Sequence, residues 1–256
     1  MTILEASRPA FDINALEGRV HSWEMVTGQD GPGTRLVTWL SGCALRCLYC
    51  HNPDTWKLRD GELTTVAELA VHMARFARFL TASGGGITVS GGEPLMQPTF
   101  TAALLRRAKE LDLHTALDTS GFLGSFARDP MLDDIDLVLL DIKSSDPATY
   151  HKTTGRTLEP TLRFARRLAE RGDRVWVRFV LVPGLTNAPA NVAGVARIAA
   201  ELGNVERVEV LPYHSMGRYK FEQLGLRYEL DGTEPPSEFE LERTRDVFRD
   251  AGLTTY

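Results

Sequence analysis

The segment TRLVTWLSGCALRCLYCH, residues 34–51, joins an apolar, β-branched run to a glycine-led loop. Its first seven residues have the composition of a buried β-strand. The loop holds Cys43, Cys47 and Cys50, which are all the cysteines of the 256-residue chain. We therefore expect an α/β fold in which the chemistry sits at the carboxyl end of a strand.

Short apolar strands alternate with longer helical segments from this point to the C-terminus. Strands are predicted at 34–40, 86–89, 114–119, 136–143, 174–182 and 205–213. Helices are predicted at 66–80, 97–111, 125–133, 158–171, 189–202 and 237–251. Because parallel strands need crossover connections, this alternation predicts an α/β fold with a parallel sheet and outer helices, in the form of a partial (β/α)6 barrel. We expect one domain over residues 19–256, preceded by a variable N-terminal arm at 1–18.

Residues with reactive or charged side chains fall at the ends of the predicted strands. They are the cysteine loop after the first strand, Gly91, Gly92 and Glu93 after the second, Asp118 and Thr119 in the third, Asp141 and Lys143 in the fourth, and His214 after the sixth. In parallel α/β folds the carboxyl ends of the strands meet at one face, where ligands bind. The sequence therefore predicts a single site built from several separate segments.

Three clustered thiols suit several kinds of site. A structural zinc ion takes four protein ligands, but Cys50 and its neighbour His51 have difficulty reaching one tetrahedral ion. The string CLYCH at 47–51 matches the attachment motif of c-type haem, which leaves Cys43 without a role. A thioredoxin-like redox pair also leaves one thiol over. Three inert buried thiols do not account for the clustering.

An iron–sulfur cluster with three protein thiolates gives all three cysteines a role. A [4Fe–4S] cluster ordinarily has four cysteine ligands, so three leave one iron open to a small molecule. A catalytic zinc ion likewise keeps one coordination position for its substrate. The sequence contains no fourth cysteine, which is consistent with such an open site.

The spacing C-x3-C-x2-C, with Tyr49 before the last cysteine and SGGEP at 90–94, resembles the radical S-adenosylmethionine (SAM) superfamily. Within it, the chain is similar to the activating enzymes of pyruvate formate-lyase. The segments that carry this similarity are DGPGTR (30–35), GCALRCLYCHNPDTW (42–56), SGGGITVSGGEP (83–94), HTALDTSGF (114–122), LVLLDIK (137–143), VWVRFVLVPG (175–184) and LPYHSMG (211–217). The resemblance extends from about residue 19 to the C-terminus.

The resemblance implies an enzyme that generates a radical. Cys43, Cys47 and Cys50 would each bind one iron of a [4Fe–4S] cluster, and SAM would bind the fourth through its amino and carboxylate groups. Reduction by one electron would cleave SAM to methionine and a 5′-deoxyadenosyl radical. That radical would take a hydrogen atom from a backbone glycine of pyruvate formate-lyase, and no side chain of this chain is expected to be the catalytic group.

The resemblance also implies which residues contact SAM. They are Tyr49, His51, Gly91, Gly92, Glu93, Asp141, Lys143, Arg178 and His214. Glycine allows a ligand to approach the backbone closely, and the Glu93 carboxylate can accept from the SAM amino group. Basic side chains suit the SAM carboxylate. Judged as isolated residues, Tyr49 and His51 would more often be packing residues.

A cation is the second ligand that the resemblance implies. Asp118 and Asp141 end neighbouring strands, where two unpaired carboxylates would repel each other. A monovalent cation, Na⁺ or K⁺, would be bound by Asp118, Thr119 and Asp141 together with the SAM carboxylate. The residues alone also allow a simpler arrangement, in which Asp118 caps a turn and Asp141 pairs with Lys143.

The composition argues against several classes of protein. A net charge of −5 and a pI near 5.7 do not fit a nucleic-acid-binding protein. No apolar run approaches the length of a membrane span. The first residues lack the features of a signal peptide, so we expect a cytoplasmic protein. Basic residues cluster only around 163–174, which predicts a solvated helix face or, as the alternative, a docking site for an acidic partner.

The expected protein partners are pyruvate formate-lyase, whose glycine loop would receive the radical, and flavodoxin or ferredoxin as electron donor. We expect a monomer. Within the superfamily, the alternatives are an activase of another glycyl radical enzyme and an enzyme that acts on a small molecule. Many other activases carry additional cysteine-rich segments, which this sequence lacks. Outside the superfamily, the alternatives are a zinc-stabilised interaction module and an electron-transfer protein.

Overall fold

The structure is a computed structural model that describes residues 12–256. This part of the chain forms one eight-stranded sheet. The strands are β1 (Glu17–Thr27), β2 (Thr34–Leu40), β3 (Glu62–Thr65), β4 (Gly86–Gly91), β5 (His114–Thr119), β6 (Leu137–Asp141), β7 (Val175–Leu181) and β8 (Val205–Pro212). All the strands predicted from the sequence are present, as β2 and β4 to β8.

Helices connect most of these strands. They are α1 (Val66–Ala82), α2 (Pro98–Lys109), α3 (Asp129–Leu132), α4 (Pro147–Thr154), α5 (Glu159–Arg171), α6 (Pro189–Leu202), α7 (Arg218–Gln223) and α8 (Glu238–Asp250). Local sequence sets where the longer helices begin. Thr65 and Ser237 form capping boxes with Glu68 and Glu240, which satisfies backbone donors at the starts of α1 and α8.

The strand order in the sheet is β3-β1-β2-β4-β5-β6-β7-β8. Neighbouring strands from β2 through β4 to β8 are parallel, whereas β1 is antiparallel to both β2 and β3. Since β3 and β8 lie at the two ends of this order, the sheet does not close on itself. An open, mostly parallel sheet with outer helices confirms the predicted partial barrel.

The antiparallel strands β1 and β3 were not predicted. The burial of β1 does not alternate regularly, and its register with β2 shifts between Val20 and Ser22. Such a shift interrupts the two-residue period on which strand prediction relies. The four residues of β3, ELTT, have no apolar alternation at all. Its position at the sheet edge was therefore not visible in the sequence.

Two apolar layers surround the parallel strands. The larger one lies between the sheet and the outer helices and includes Leu117, Val138 and Phe164. On the other face a small cluster is formed by Ala116, Leu137, Leu139 and Trp176. Because side chains alternate along a strand, residues two positions further on share this inner face. Asp118, Asp141 and Arg178 thus follow the small cluster along β5, β6 and β7.

Several predicted segments differ from the structure. The helix predicted at 125–133 is split into a 3-10 turn at Gly124–Phe126 and the short α3, because Pro130 lacks the N–H that a continuous helix needs. The helices α4 and α7 were not predicted; both are short. Of the predicted arm, residues 1–11 lie outside the described residues. Within the remainder, Ile13–Ala15 form a 3-10 turn, and residues 17 and 18 already belong to β1.

Four of the five arginines at 163–174, all but Arg163, form ion pairs within the described part of the chain. The pairs are Arg166 with Glu159, Arg167 with Asp129, Arg171 with Asp133 and Asp173, and Arg174 with Glu206. These contacts fit the solvated helix face that the sequence predicts. No helix among residues 12–256 is long and apolar enough to cross a membrane.

Candidate functional site

The cysteine loop after β2 is held by backbone hydrogen bonds on two sides. Gly42 N donates to Thr55 O at 2.7 Å and Cys43 N to Trp56 O at 3.1 Å. On the other side, Arg46 N and Leu48 N donate to the carbonyl groups of Thr154 and Thr153, at the end of α4. These bonds place the loop without using any of the three thiols, so the sulfur atoms remain available to a ligand.

The three thiols line one large cavity of about 1050 Å³ at the carboxyl ends of the strands. None of them forms a disulfide. Burial raises the pKa of Cys47 to about 12 and raises the pKa values of Cys43 and Cys50 as well. The thiols are therefore protonated at neutral pH unless a metal displaces the protons.

The spacing of these side chains suits a cluster better than a single ion. Among residues 12–256, no three His, Cys, Asp or Glu side chains converge closely enough to bind one metal ion. Cysteines of a cubane cluster bind different iron atoms, so they surround the cluster instead of meeting at a point. Three thiols on the wall of a roomy cavity meet that requirement.

The connection after β4 packs directly against the cysteine loop. Gly92 N donates to Leu40 O and Glu93 N donates to Gly42 O, both at 2.8 Å. A β-carbon on Gly92 would lie 2.5 Å from Gly42 O, so only glycine fits here without displacing the loop. Gly91 and Gly92 line the cavity, as the sequence predicts.

Glu93 is the one predicted site residue that does not line the cavity. Its side chain is buried, and its carboxylate accepts from Thr119 Oγ1 at 2.6 Å, Ser120 N at 3.0 Å and Leu95 N at 3.2 Å. The Ser120 hydroxyl also donates to it. These bonds join the end of β4 to the end of β5 and occupy both carboxylate oxygens of Glu93. The contact of Glu93 with SAM that the resemblance implies stays a prediction. The Thr119 hydroxyl is engaged in the same network.

Five charged side chains lie close together at the inner face of the sheet. Arg178 Nη1 lies 3.2 Å from both Asp118 Oδ2 and Asp30 Oδ1, and Lys143 Nζ donates to Asp141 Oδ2 at 2.8 Å. Burial raises the pKa of Asp118 to about 6 even though Arg178 lies beside it. Burial opposes the charge on Lys143, but Asp141, Tyr49 and Cys47 together outweigh this effect, so the pKa of Lys143 is raised.

Five buried polar atoms of residues that line this cavity have no hydrogen-bond partner within the described chain. They are Asp118 Oδ1, the Tyr49 hydroxyl and the Nε atoms of Arg178, Arg207 and Arg245. An unsatisfied buried carboxylate oxygen is costly, and a bound cation or ligand would satisfy it. Asp118 does not cap the following turn; it accepts from Ser90 Oγ at 2.6 Å, and Asp141 pairs with Lys143.

Aromatic side chains form the rim near the cysteine loop. The rings of His51 and His214 meet edge to face with centroids 4.9 Å apart. Lys143 Nζ lies 5.6 Å from the centroid of the Tyr49 ring. Burial lowers the pKa of His51, and the nearby His214 and Lys220 lower it further, so His51 is neutral at pH 7.

The structure brings nearly all the predicted site residues together around this cavity. They are Cys43, Cys47, Tyr49, Cys50, His51, Gly91, Gly92, Asp118, Thr119, Asp141, Lys143, Arg178 and His214. Sequence reasoning missed Asp30, Ser90 and Glu209, which also line the cavity and contact Arg178 or Asp118. Asp30 lies in the segment DGPGTR, and its contact with Arg178 on β7 joins residues 148 positions apart, which no local sequence pattern shows.

Comparison with known families and proteins identifies the same group. The radical SAM superfamily matches residues 37–193. Pyruvate formate-lyase 1-activating enzyme of Escherichia coli K12 is 39% identical over 239 residues, which covers 92% of this chain and 96% of that protein. Pyruvate formate-lyase-activating enzyme of Clostridium pasteurianum is 45% identical over 213 residues, 83% and 89% of the two chains.

Solved structures agree with this grouping. The crystal structure of a domain of pyruvate-formate lyase-activating enzyme from Bacteroides vulgatus has a TM-score of 0.55 at 29% identity and covers 68% of this chain and 98% of that chain. A radical SAM methyltransferase from Sphaerobacter thermophilus, at 18% identity, shares the fold with a TM-score of 0.64 over 93% and 76% of the chains. The chain therefore belongs to the radical SAM superfamily and, within it, to the family of pyruvate formate-lyase activating enzymes.

Proposed function

We propose that this protein activates pyruvate formate-lyase by removing a hydrogen atom from one of its backbone glycines. The observation that carries the proposal is the placement of Cys43, Cys47 and Cys50 on one wall of a cavity whose other walls hold the charged strand ends. When bound, a [4Fe–4S] cluster supplies the electron that cleaves SAM to methionine and the 5′-deoxyadenosyl radical that abstracts the hydrogen atom. The protein holds the cluster and SAM in position and excludes water from them.

The three cysteines would be the cluster ligands. Their raised pKa values mean that cluster binding must release protons, which makes assembly more favourable at higher pH. The backbone bonds on both sides of the loop hold the thiols in place before the cluster binds. Such preorganisation reduces the ordering cost of assembly.

SAM would bind between the cysteine loop and the strand ends. Lys143 and Arg178 would face its carboxylate, since both are mostly buried and positively charged. Tyr49, His51 and His214 would pack around the nucleoside, and Gly91 and Gly92 permit close approach of the ligand to the backbone. We assign Glu93 a positioning role, because its oxygens are taken by Thr119, Ser120 and Leu95.

A monovalent cation, Na⁺ or K⁺, would bind beside Asp118 and Asp141. The unpartnered Asp118 Oδ1 supports this assignment. Thr119 lines the cavity but its hydroxyl donates to Glu93, so its backbone carbonyl would be the ligand that it offers. The pairing of Asp141 with Lys143 means that a cation would share this carboxylate with the ammonium group.

The glycine loop of the partner would enter along the open side of the sheet. Residues of β1, including Ser22 and Glu24, and residues of β8, including Val210 and Leu211, line the cavity from its two sides. An opening along the sheet admits a polypeptide segment, which a closed barrel would exclude. We propose that the protein acts as a cytoplasmic monomer and receives its electron from flavodoxin or ferredoxin.

The experiment is activation of pyruvate formate-lyase under anaerobic conditions. The protein would be reconstituted with iron and sulfide, reduced, and mixed with SAM and pyruvate formate-lyase. The expected result is an electron paramagnetic resonance doublet from a glycyl radical, with methionine formed in equal amount. Cys47→Ala should abolish the cluster absorption, the methionine and the doublet together.

A folding control accompanies this comparison. Cys47→Ala should keep the circular dichroism of the wild-type protein, because the core of the sheet does not include the loop. Retention of SAM cleavage by this variant would contradict the ligand assignment. Methionine formation without a doublet on pyruvate formate-lyase would instead point to a different substrate for the radical.

A further inference from the structure

Glu209 on β8 lies between two arginines that line the large cavity. Its Oε2 atom is 3.4 Å from Arg178 Nε, and its Oε1 atom accepts a hydrogen bond from Arg207 Nη2. The side chains of Arg178, Glu209 and Arg207 are 14%, 13% and 23% exposed, so all three are mostly buried. One carboxylate thus joins Arg178, which contacts the strand ends of the site, to a second buried cation.

Two aromatic rings hold the Arg207 guanidinium in place. Its central carbon lies 3.5 Å from the centroid of the Trp176 ring and 4.6 Å from that of the Tyr256 ring. Trp176 belongs to the small inner cluster, and its Nε1 donates to Glu206 Oε2 at 3.0 Å. Tyr256 N donates to Val208 O at 3.2 Å, so the second ring is fixed to β8. Stacking on aromatic rings restricts a guanidinium and stabilises its charge.

Arg178 is surrounded by more negative than positive charge. Its Nη1 atom lies 3.2 Å from the carboxylates of Asp30 and Asp118, and its Nε atom 3.4 Å from that of Glu209. Burial lowers the pKa of Arg178, but the surrounding carboxylates outweigh burial and raise it. Three carboxylates around one guanidinium weaken its attraction for any further anion. Arg178 can therefore bind the SAM carboxylate well only if part of this negative charge is neutralised by another cation.

Arg207 is placed to neutralise Glu209. It forms an ion pair with Glu209 and with no other carboxylate in residues 12–256. Arg178 Nε has no hydrogen-bond partner in the same part of the chain, although Glu209 Oε2 lies only 3.4 Å away. Glu209 is thus hydrogen-bonded to Arg207 and not to Arg178. Without Arg207, Arg178 would be the one cation left beside this carboxylate, and the two would pair more closely.

We propose that Arg207 is a positioning residue for SAM: by binding Glu209, it keeps the Arg178 guanidinium available to the SAM carboxylate. The inference rests on the proposed function, in which Arg178 faces that carboxylate. Arg207 acts through Glu209 and Arg178 and is not expected to contact SAM itself. Trp176 and Tyr256 contribute by holding the Arg207 guanidinium beside Glu209.

The test measures the Kd for SAM by equilibrium dialysis with the oxidised, cluster-loaded protein, which does not cleave SAM. Arg207→Met should raise this Kd at least about five-fold, because Glu209 then pairs with Arg178. Decarboxylated SAM lacks only the carboxylate, so its Kd should differ less than about two-fold between this variant and the wild type. Arg163→Met, on the exposed face of α5, is the matched control and should change both Kd values less than about two-fold.

Two further comparisons separate the effect of charge from a loss of packing. Arg207→Lys keeps a cation beside Glu209 and should restore most of the affinity for SAM, although lysine does not stack on the two rings as arginine does. In a Glu209→Gln background, position 209 carries no charge to neutralise. Adding Arg207→Met to that background should therefore change the Kd for SAM less than about two-fold.

Several outcomes would overturn this role of Arg207. They are an unchanged Kd for SAM in Arg207→Met, an equal loss of affinity for SAM and decarboxylated SAM, and an undiminished loss in the Glu209→Gln background. If the wild-type protein bound SAM but formed no glycyl radical on pyruvate formate-lyase, the proposed function would be wrong, and the Kd values would still decide the role of Arg207. If the wild-type protein did not bind SAM, both proposals would be wrong.

Discussion

Arg35 links the base of the cavity to its charged residues. Its side chain is fully buried, and it donates to Thr88 Oγ1 at 3.0 Å, to Ile87 O and to His114. Thr88 Oγ1 donates in turn to Asp30 O at 2.7 Å, and the Asp30 carboxylate contacts Arg178. Burial lowers the pKa of Arg35 to about 10, so it stays charged at neutral pH. The position of Asp30 therefore depends on a buried cation that does not itself line the cavity.

Replacing Arg35 should destabilise the protein. Arg35→Met would leave the buried acceptors Ile87 O and His114 Nδ1 without their donor, at a cost of about 2–4 kcal/mol in the free energy of unfolding. Urea denaturation of the variant measures this loss. Arg163→Met, on the exposed face of α5, is the matched control and should change the free energy by less than about 0.5 kcal/mol. Equal free energies of unfolding for the two variants would show that the buried hydrogen bonds of Arg35 do not stabilise the protein.

His114 should make stability depend on pH. Burial lowers its pKa to about 4, with a further contribution from Arg35. Between its ordinary pKa near 6.5 and this value, the unfolded chain binds a proton that the folded chain does not. The free energy of unfolding should therefore decrease as the pH falls through this range. In metal-free protein, the free energy of unfolding of His114→Asn should decrease less steeply than that of the wild type from about pH 6.5 to 4.5. If the two proteins gave parallel curves of unfolding free energy against pH, His114 would not have this role.

The connections that follow β2 and β4 act as one unit. Each carries part of the site, and backbone hydrogen bonds from Gly92 and Glu93 to Leu40 and Gly42 tie them together. Because β2 and β4 are adjacent and parallel, their carboxyl ends emerge side by side. The cysteine loop is thus positioned by a neighbouring strand end as well as by its own sequence.

A β-carbon at Gly92 should disturb cluster binding. In Gly92→Ala the added atom would lie 2.5 Å from Gly42 O and 3.0 Å from Thr55 O, and both are backbone atoms that cannot rotate away. We expect the iron content after reconstitution to fall by more than half. Gly203→Ala, which is strained by a φ of 71° but contacts nothing within 4 Å, is the control and should bind iron normally. Normal iron content in Gly92→Ala would contradict the close packing.

The molecule combines a stable sheet with a site placed at one end of it. The larger apolar core lies between the sheet and the outer helices and contains none of the three cysteines. The loop that holds the thiols is fixed mainly by backbone hydrogen bonds. Local opening free energies differ across a protein, and a loop of this kind opens before the core.

Removal of the cluster should therefore open the loop without unfolding the sheet. In the chelated protein, the far-ultraviolet circular dichroism should stay at the value of the loaded form, while trypsin should cut faster at Arg46, Lys57 or Arg59. Cleavage at Arg78 and Arg163, in the helices, is the internal control and should not accelerate. Global loss of helical signal on chelation would show that the cluster stabilises the whole fold.

Local sequence predicted the parallel part of the fold well. Buried strands such as β5 and β6 have continuous apolar runs, and the long helices have a clear apolar face. The strands β1 and β3 and the short helices α4 and α7 lacked such patterns. Pairing with neighbouring strands stabilises β1 and β3 more than their own composition does.

The sequence by itself determined which chemistry is available, since three clustered thiols and their spacing are properties of the chain. It also determined that the reactive residues fall at strand ends, because strand periodicity is local. Folding decided how those residues combine: Glu93 is turned into the protein by Thr119 and Ser120, while Asp30 is brought to Arg178 across the sheet. Contacts between residues far apart in the chain depend on the register of neighbouring strands, and no local pattern encodes that register.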